Sequence, residues 1–247
     1  MWEIILNSII KSKTKCKIYI KTRTAEKENL LKEKYKVNIW LNKEADLIIL
    51  AIKPSQFKEI NLNNFRENTI IISVMAGISI KKIKEKSLSD KIIRTMPNTP
   101  SLIWKWIIWY TKTNNISKNE IQLFKKLFSK TWKIIELNDE DEINKITALS
   151  WSWPAYYYYF TEAIINIAKE MWFSENISKI ILYNTFFWAS TLLEKSNLDI
   201  ETLRKNITSP WWTTQKAIEI FETSKFKNSI KKAIKWAYKK AKELNNN

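Results

Sequence analysis

The sequence predicts an α/β domain built on a mostly parallel sheet, followed by an all-α domain. Three observations carry this. Short β-branched runs alternate with amphipathic stretches through the first half, the second half holds no convincing strand, and the acidic cluster NDEDE at 138–142 stands between them. Strands that alternate with helices bury a parallel sheet beneath helical layers, whereas a run of helices packs on itself.

In chain order, the strand-like runs are CKIYIKT (16–22), DLIILAIKP (46–54), NTIIISVMAG (68–77), KIIRTMPN (91–98), IIWYTK (107–112) and WKIIELN (132–138). Each is short, rich in isoleucine and bounded by polar or turn residues. Helical spacing appears in AEKENLLKEKY (25–35) and SKNEIQLFKKLFSKT (117–131). Beyond the acidic cluster, helical patterns cover about 140–149, 154–171, 176–195, 199–206, 213–223 and 226–244, with turn signals at Ser174 and at Ser209-Pro210. The acidic cluster itself suits a helix N-terminus better than a metal site, because carboxylates there meet the positive end of the helix dipole. Cys16, near the start of a strand, is expected in the core.

Composition removes several function classes. One cysteine forms no internal disulfide, and a chain without histidine builds neither a His-based metal site nor a Ser-His-Asp triad. No apolar run approaches the roughly 18 residues that span a bilayer, and the start MWEIILNSIIKSK lacks the pattern of a signal peptide, so a cytoplasmic protein with no membrane partner is expected. The net charge of +17 comes from lysines spread along the chain, 38 of the 42 basic residues. Spread charge suits solvated helix faces rather than a nucleic-acid surface, so no nucleic-acid partner is expected.

The glycine count is the anomaly. Average usage near 7% predicts about 17 glycines in a chain of this length, yet there is one, beside 13 tryptophans. The tryptophans stand where turns put glycine: Trp211-Trp212 after Pro210, Trp151 and Trp153 around Ser152, and Trp104, Trp106 and Trp109. The composition predicts that most are glycines in the living protein, encoded by UGA in a lineage that reads that codon as glycine. A genuinely tryptophan-rich protein is the alternative.

With tryptophan read as glycine, RTMPNTPSLIWKW (94–106), ALSWSWPAYYYYF (148–160) and ITSPWWTTQKAIEIF (207–221), together with LAIKP (50–54) and SVMAGIS (73–79), resemble the pyrroline-5-carboxylate reductase family, in that family's order and over essentially the whole chain. The resemblance implies a Rossmann dinucleotide-binding domain at 1–137, its first strand missing, and a helical dimerisation and substrate-binding domain at 138–247. It implies a homo-oligomer, dimer or higher, that reduces 1-pyrroline-5-carboxylate to L-proline with NADPH or NADH. Trp2 matches the third glycine of the family's G-x-G-x-x-G turn, with EIILNSIIKS as the first helix; the opening strand and the first two glycines are missing, so either the true start lies upstream or the gene is truncated.

Residue by residue, the resemblance places the cofactor along Ala51, Ile52, Lys53 and Pro54, along Met75 and Ala76, and near Asn42. Thr22 and Arg23, with Lys21 and Thr24, stand where NAD-selective folds carry an acidic residue for the ribose 2′-hydroxyl; hydroxyls and a guanidinium suit a phosphate and favour NADPH. Ser209, Trp211, Trp212, Thr213 and Thr214 form the implied substrate cradle. Read as SPGGTT, the stretch turns into a helix whose first amides face an anion such as the substrate carboxylate. Thr214 is the catalytic candidate, as positioner of the imine nitrogen; an ordinary helix start is its alternative. Asn197 falls where many family members carry a glutamate. Tyr156 to Phe160 are expected in the core and subunit interface. Two other readings remain: another Rossmann imine or β-hydroxyacid reductase, and an inactive relative that binds nucleic acid.

Overall fold

A computed structural model describes residues 2–39, 43–98, 107–129 and 133–246. Helix α1 (Trp2–Lys11) opens the chain, followed by β1 (Tyr19–Ile20), α2 (Ala25–Tyr35), β2 (Asn38–Ile39), β3 (Leu47–Leu50), a 3₁₀ turn (Pro54–Glu59), β4 (Ile70–Ser73), α3 (Ile80–Lys84), β5 (Ile92–Pro97), β6 (Ile107–Lys112), α4 (Lys118–Leu127) and β7 (Lys133–Glu136). Then come α5 (Glu140–Ile146), a π-helical turn (Thr147–Trp151), α6 (Trp153–Glu170), α7 (Glu175–Lys195), α8 (Ile200–Asn206), α9 (Thr213–Thr223) and α10 (Phe226–Asn246).

Among the described residues the strands form two sheets. β1 and β2 pair in parallel, and a second sheet runs β3-β4-β5-β6-β7. Its pairs are parallel except β5–β6, which is antiparallel with Ile93 opposite Lys112 and Met96 opposite Trp109. The alternation of strand and helix does not predict that reversal: no helix is expected between 98 and 107, and a parallel return needs a crossover of a dozen or more residues.

The isoleucine runs explain the sheet. All four β4 residues are buried, as in a strand covered on both faces. Successive side chains point to opposite faces, so Ile70, Ile72 and Ile93 pack with Tyr110, Phe124 and Ile5, while Ile71 and Ile92 pack with Phe57, Leu62, Met75 and Ile83. Helix α4 is fixed by a capping box, Ser117 with Glu120, and buries Phe124, whose ring meets Tyr110 edge-on at 5.1 Å. Cys16 is exposed, which corrects the expectation of a core cysteine; residues 12–18, between α1 and β1, form no ladder and none of them is buried.

The chain forms two compact units: Met1–Trp151 with Ala237–Asn247, and Ser152–Trp236. The first holds the acidic cluster as well as the sheets, for a chemical reason. Asp139 caps α5 by accepting the Glu142 amide at 2.9 Å, and Glu140 reaches back to Arg94 of β5 at 2.6 Å. Asp141 accepts the Tyr238 hydroxyl at 2.6 Å, which ties the end of α10 to the same unit. In the second unit Ser174 and Asp199 cap α7 and α8, and Tyr157, Phe160 and Phe186 stack between α6 and α7. Tyr157, Tyr158, Tyr159 and Phe160 are nonetheless exposed within the single chain, so the expected core role is not met inside the subunit.

Candidate functional site

In the sheet unit, the predicted cofactor residues fall at strand ends. Ala51, Ile52, Lys53 and Pro54 follow β3, and Met75 and Ala76 follow β4. β3 and β4 are parallel and in register, Leu47 opposite Ile70, so both segments lie on the carboxyl edge where doubly wound sheets bind ligands. Lys53 and Pro54 are exposed, Ala51 and Ile52 half-buried, Met75 buried and Ala76 half-buried. The Lys53 amide donates to Gln56 at 3.3 Å, which fixes the turn after Pro54.

The loop after β4 is held from below and from beyond. Ser73 Oγ accepts the Met75 amide at 3.3 Å, and Thr95 donates to the Ser73 carbonyl at 2.9 Å. At the loop's far end Glu140 Oε1 accepts the Ile80 amide at 2.7 Å while it binds the fully buried Arg94. Burial pushes the Arg94 guanidinium below its usual range and Glu140 pulls the other way; Asn144 also faces it at 3.4 Å. Residue pattern alone places Glu140 only at a helix start and assigns Arg94 no partner; an arginine within the β-branched run KIIRTMPN is the available signal.

After β1, Thr22 and Arg23 sit half-buried and exposed respectively. The Thr22 amide donates to Glu28 at 2.8 Å and its hydroxyl to the Thr24 carbonyl at 3.0 Å, so both Thr22 donors are already used. Of this pair, Arg23 is the exposed side chain. No sequence motif marks Glu28. It is buried in the first turn of α2, and the Thr22 amide, then Lys21, hold its carboxyl below the usual range. Trp2 begins α1, with the Lys27 ammonium 4.7 Å from its ring centre. Asn42, Trp104 and Trp106 lie outside the described residues.

In the helical unit, Ser209, Pro210, Trp211 and Trp212 form a turn into α9. The Trp212 amide donates to the Ser209 carbonyl at 3.4 Å, and Trp211 has φ +70°. Trp212 occupies the helix cap without a side-chain bond, Thr213 and Thr214 are the first two helical residues, and Thr214 is half-buried. Their amides belong to the donors that a helix start leaves without intrahelical partners. Gln215 is a further participant: its side-chain oxygen accepts the Trp211 amide at 2.8 Å and removes that donor from the cradle. A glutamine three residues after a helix cap is a recognised start signal. No helix among the described residues is long and apolar enough to cross a membrane.

Comparison with known proteins matches both halves. The family "Pyrroline-5-carboxylate reductase dimerisation" matches residues 140–244, and "NADP oxidoreductase coenzyme F420-dependent" matches residues 1–77. A pyrroline-5-carboxylate reductase of Bacillus subtilis is 32% identical, over 99% of this chain and 91% of its own. The structure of a pyrroline-5-carboxylate reductase from Coxiella burnetii superimposes with a TM-score of 0.82 at 26% identity, covering 98% of this chain and 94% of that one. That of Plasmodium falciparum, solved with NADP bound, gives 0.82 at 24% identity over the same shares.

A parallel-dominated sheet in one unit and a helical dimerisation module in the other define a nicotinamide-dependent oxidoreductase of the oligomer-forming kind. Within that class, the chain belongs to the pyrroline-5-carboxylate reductase family.

Proposed function

We propose that this chain reduces 1-pyrroline-5-carboxylate to L-proline through Thr214 and the turn that precedes it, with NADPH preferred over NADH. The 32% identity to the Bacillus subtilis reductase along 99% of the chain carries the reading.

The residues at the sheet edge fit a dinucleotide. Small or half-buried side chains, Ala51 and Ala76, leave backbone accessible there, and the exposed cations Lys53 and Arg23 supply charge for phosphates. The one acid near Thr22, Glu28, is already engaged by the Thr22 amide and Lys21. Arg23 would take the 2′-phosphate, and Ala51 to Pro54, Met75 and Ala76 would line the cofactor, with Trp2 at the α1 start by the pyrophosphate and Asn42 near the adenosine ribose. The bound nicotinamide supplies the hydride that reduces the C=N carbon.

The helix start at Thr213 and Thr214 faces the substrate carboxylate with amide donors and the positive end of the α9 dipole. Ser209, Trp211 and Trp212 border it. The Thr214 hydroxyl hydrogen-bonds the imine nitrogen and fixes its orientation. A threonine hydroxyl gives up its proton reluctantly, so the nitrogen gains its proton from water or arrives as the iminium. A cytoplasmic homodimer belongs to the same reading, supported by the dimerisation match at 140–244 and by the exposed apolar side chains Tyr158, Phe187 and Leu192 of the single chain.

The test is NADPH oxidation on addition of pyrroline-5-carboxylate, with Thr214→Val beside Thr214→Ser. Loss of a hydrogen bond to a charged or developing-charge group is worth about 1.5 to 3 kcal/mol, so Thr214→Val should lower kcat/KM about 10- to 100-fold while Thr214→Ser stays near the parent. Equal rates for parent and Thr214→Val would remove Thr214 from the mechanism.

A further inference from the structure

We infer that the working protein carries glycine at positions 172 and 211, and that the indoles written there are not the side chains for which these turns are shaped. The inference rests on backbone geometry and stands apart from the substrate assignment.

Helix α6 ends in a two-bond closure. The Trp172 amide donates to the Lys169 carbonyl and the Phe173 amide to the Ala168 carbonyl, each at 3.0 Å, with Trp172 at φ +66°. This is the Schellman pattern, whose left-handed residue is usually glycine because any Cβ crowds the following carbonyl. The second site is the Ser209 to Trp212 turn. Proline stands second, the residue at φ +70° stands third, and the fourth amide returns to the first carbonyl. A turn with proline second and a positive φ third is type II, and its third position calls for glycine.

A bulky residue persists in the left-handed region where packing over-determines it. Within the single chain packing contributes almost nothing, since Trp172 and Trp211 are each 96% exposed there. Lys13, Lys36 and Lys225 also take positive φ at helix ends, so left-handed backbone alone is not diagnostic. The combination is two glycine-type turns, two indoles that the single chain leaves unpacked, and a sequence with one glycine against 13 tryptophans.

Two further indoles fit the same account. Trp212 caps α9 at φ −95° and ψ 162° with no acceptor to offer the helix amides, at a position where glycine is favoured over other apolar residues. Trp109 in β6 buries its indole N–H without an acceptor among the described residues, a penalty that glycine lacks. Gly77, the chain's single glycine, has φ +70°, and an added Cβ there would lie 2.5 Å from that of Leu244. The fold therefore uses glycine where the backbone demands it, and the indoles occupy matching positions.

The experiment compares urea unfolding of three full-length chains: the sequence as written, Trp172→Gly with Trp211→Gly, and Trp172→Ala with Trp211→Ala. Alanine removes the indole and keeps the left-handed strain; glycine removes both. The inference expects each glycine to raise the folding equilibrium constant about three- to tenfold over alanine, after allowance for glycine's looser unfolded chain. A glycine pair that unfolds at or below the alanine pair would overturn the backbone argument. Peptide masses from the protein isolated from its native source decide the identity directly: glycine at 172 and 211 is expected, and tryptophan at either position refutes the inference.

Discussion

Removal of the Glu140 carboxylate should strand a buried charge. Arg94 has no exposed side-chain surface, and its Nη1 lies 2.6 Å from Glu140 Oε1, the same oxygen that accepts the Ile80 amide at 2.7 Å. Breaking a buried pair from one side typically costs about 3 to 5 kcal/mol, because the remaining ion keeps its desolvation penalty without its partner. Glu140 is 32% exposed, so water can reach the cavity it leaves, which argues for the lower end. The lost amide bond adds about 1 kcal/mol. Glu140→Ala should therefore destabilise by about 4 kcal/mol in urea unfolding at fixed protein concentration, and the Ile80 amide should lose hydrogen-exchange protection. Arg94→Met with Glu140→Ala should recover much of the loss, since the double variant removes the stranded cation and leaves no buried charge beside Asn144. A Glu140→Ala loss below about 1 kcal/mol, or a double variant no better than the single, would refute the reasoning.

Three other perturbations follow. Gly77→Ala places a Cβ 2.5 Å from the Leu244 Cβ at φ +70°, so it should lower stability by about 1 to 2 kcal/mol from the backbone alone and more if the end of α10 cannot shift; an unchanged urea midpoint would contradict the contact. Arg23→Ala should raise KM for NADPH about tenfold and leave KM for NADH nearly unchanged, as expected when a charge-assisted bond to the 2′-phosphate is lost; parallel changes for both cofactors would displace Arg23 from that role. The Tyr238 hydroxyl first, then Asn144, Lys242 and Lys145, hold the Asp141 carboxyl below its usual range against burial. Its folded form is therefore favoured when ionised: that stability is present above the ordinary carboxylate value near ~4 and is lost as pH falls through the lowered one. Parent and Asp141→Asn should differ at neutral pH and converge in acid, and a gap that widens in acid would reverse the assignment.

Much of the architecture was legible because it rests on local pattern. The isoleucine runs at 47–50 and 70–73 and the caps Ser117, Ser174 and Asp199 act within a few residues of themselves, and the strands and helices lie where those signals place them. What was hidden depends on partners distant in sequence. Nothing around Arg94 announces Glu140, 46 residues on, and that bond draws α5 to the sheet unit. The antiparallel turn of β6 depends on the connection after Pro97, not on the content of IIWYTK. At the candidate cofactor edge, residue types alone suggested two donors in Thr22 and Arg23. The fold spends the Thr22 amide on Glu28 and its hydroxyl on Thr24, both choices invisible to composition.

The SPWWTT turn shows why sequence and backbone must be read together. The residue string suggested a run of amides open to an anion. The structure instead gives the Trp211 amide to Gln215 and the Trp212 amide to Ser209, so the donors left at the mouth of α9 are those of Thr213 and Thr214. In the proposed reading an anion held there would be gripped by the helix start itself, and the preceding turn would act through its shape. Shape is what an indole at position 211 opposes, because a side chain at φ +70° crowds the carbonyl that follows it. Gln215→Ala separates the two contributions. It frees the Trp211 amide and loosens the turn without touching Thr213 or Thr214, so affinity for the substrate carboxylate should fall if turn geometry matters and rise if the count of amides does. Measured as KM for pyrroline-5-carboxylate, an increase of about threefold to tenfold, the worth of one neutral hydrogen bond, is expected; a decrease would show that the freed donor, not the turn, governs binding.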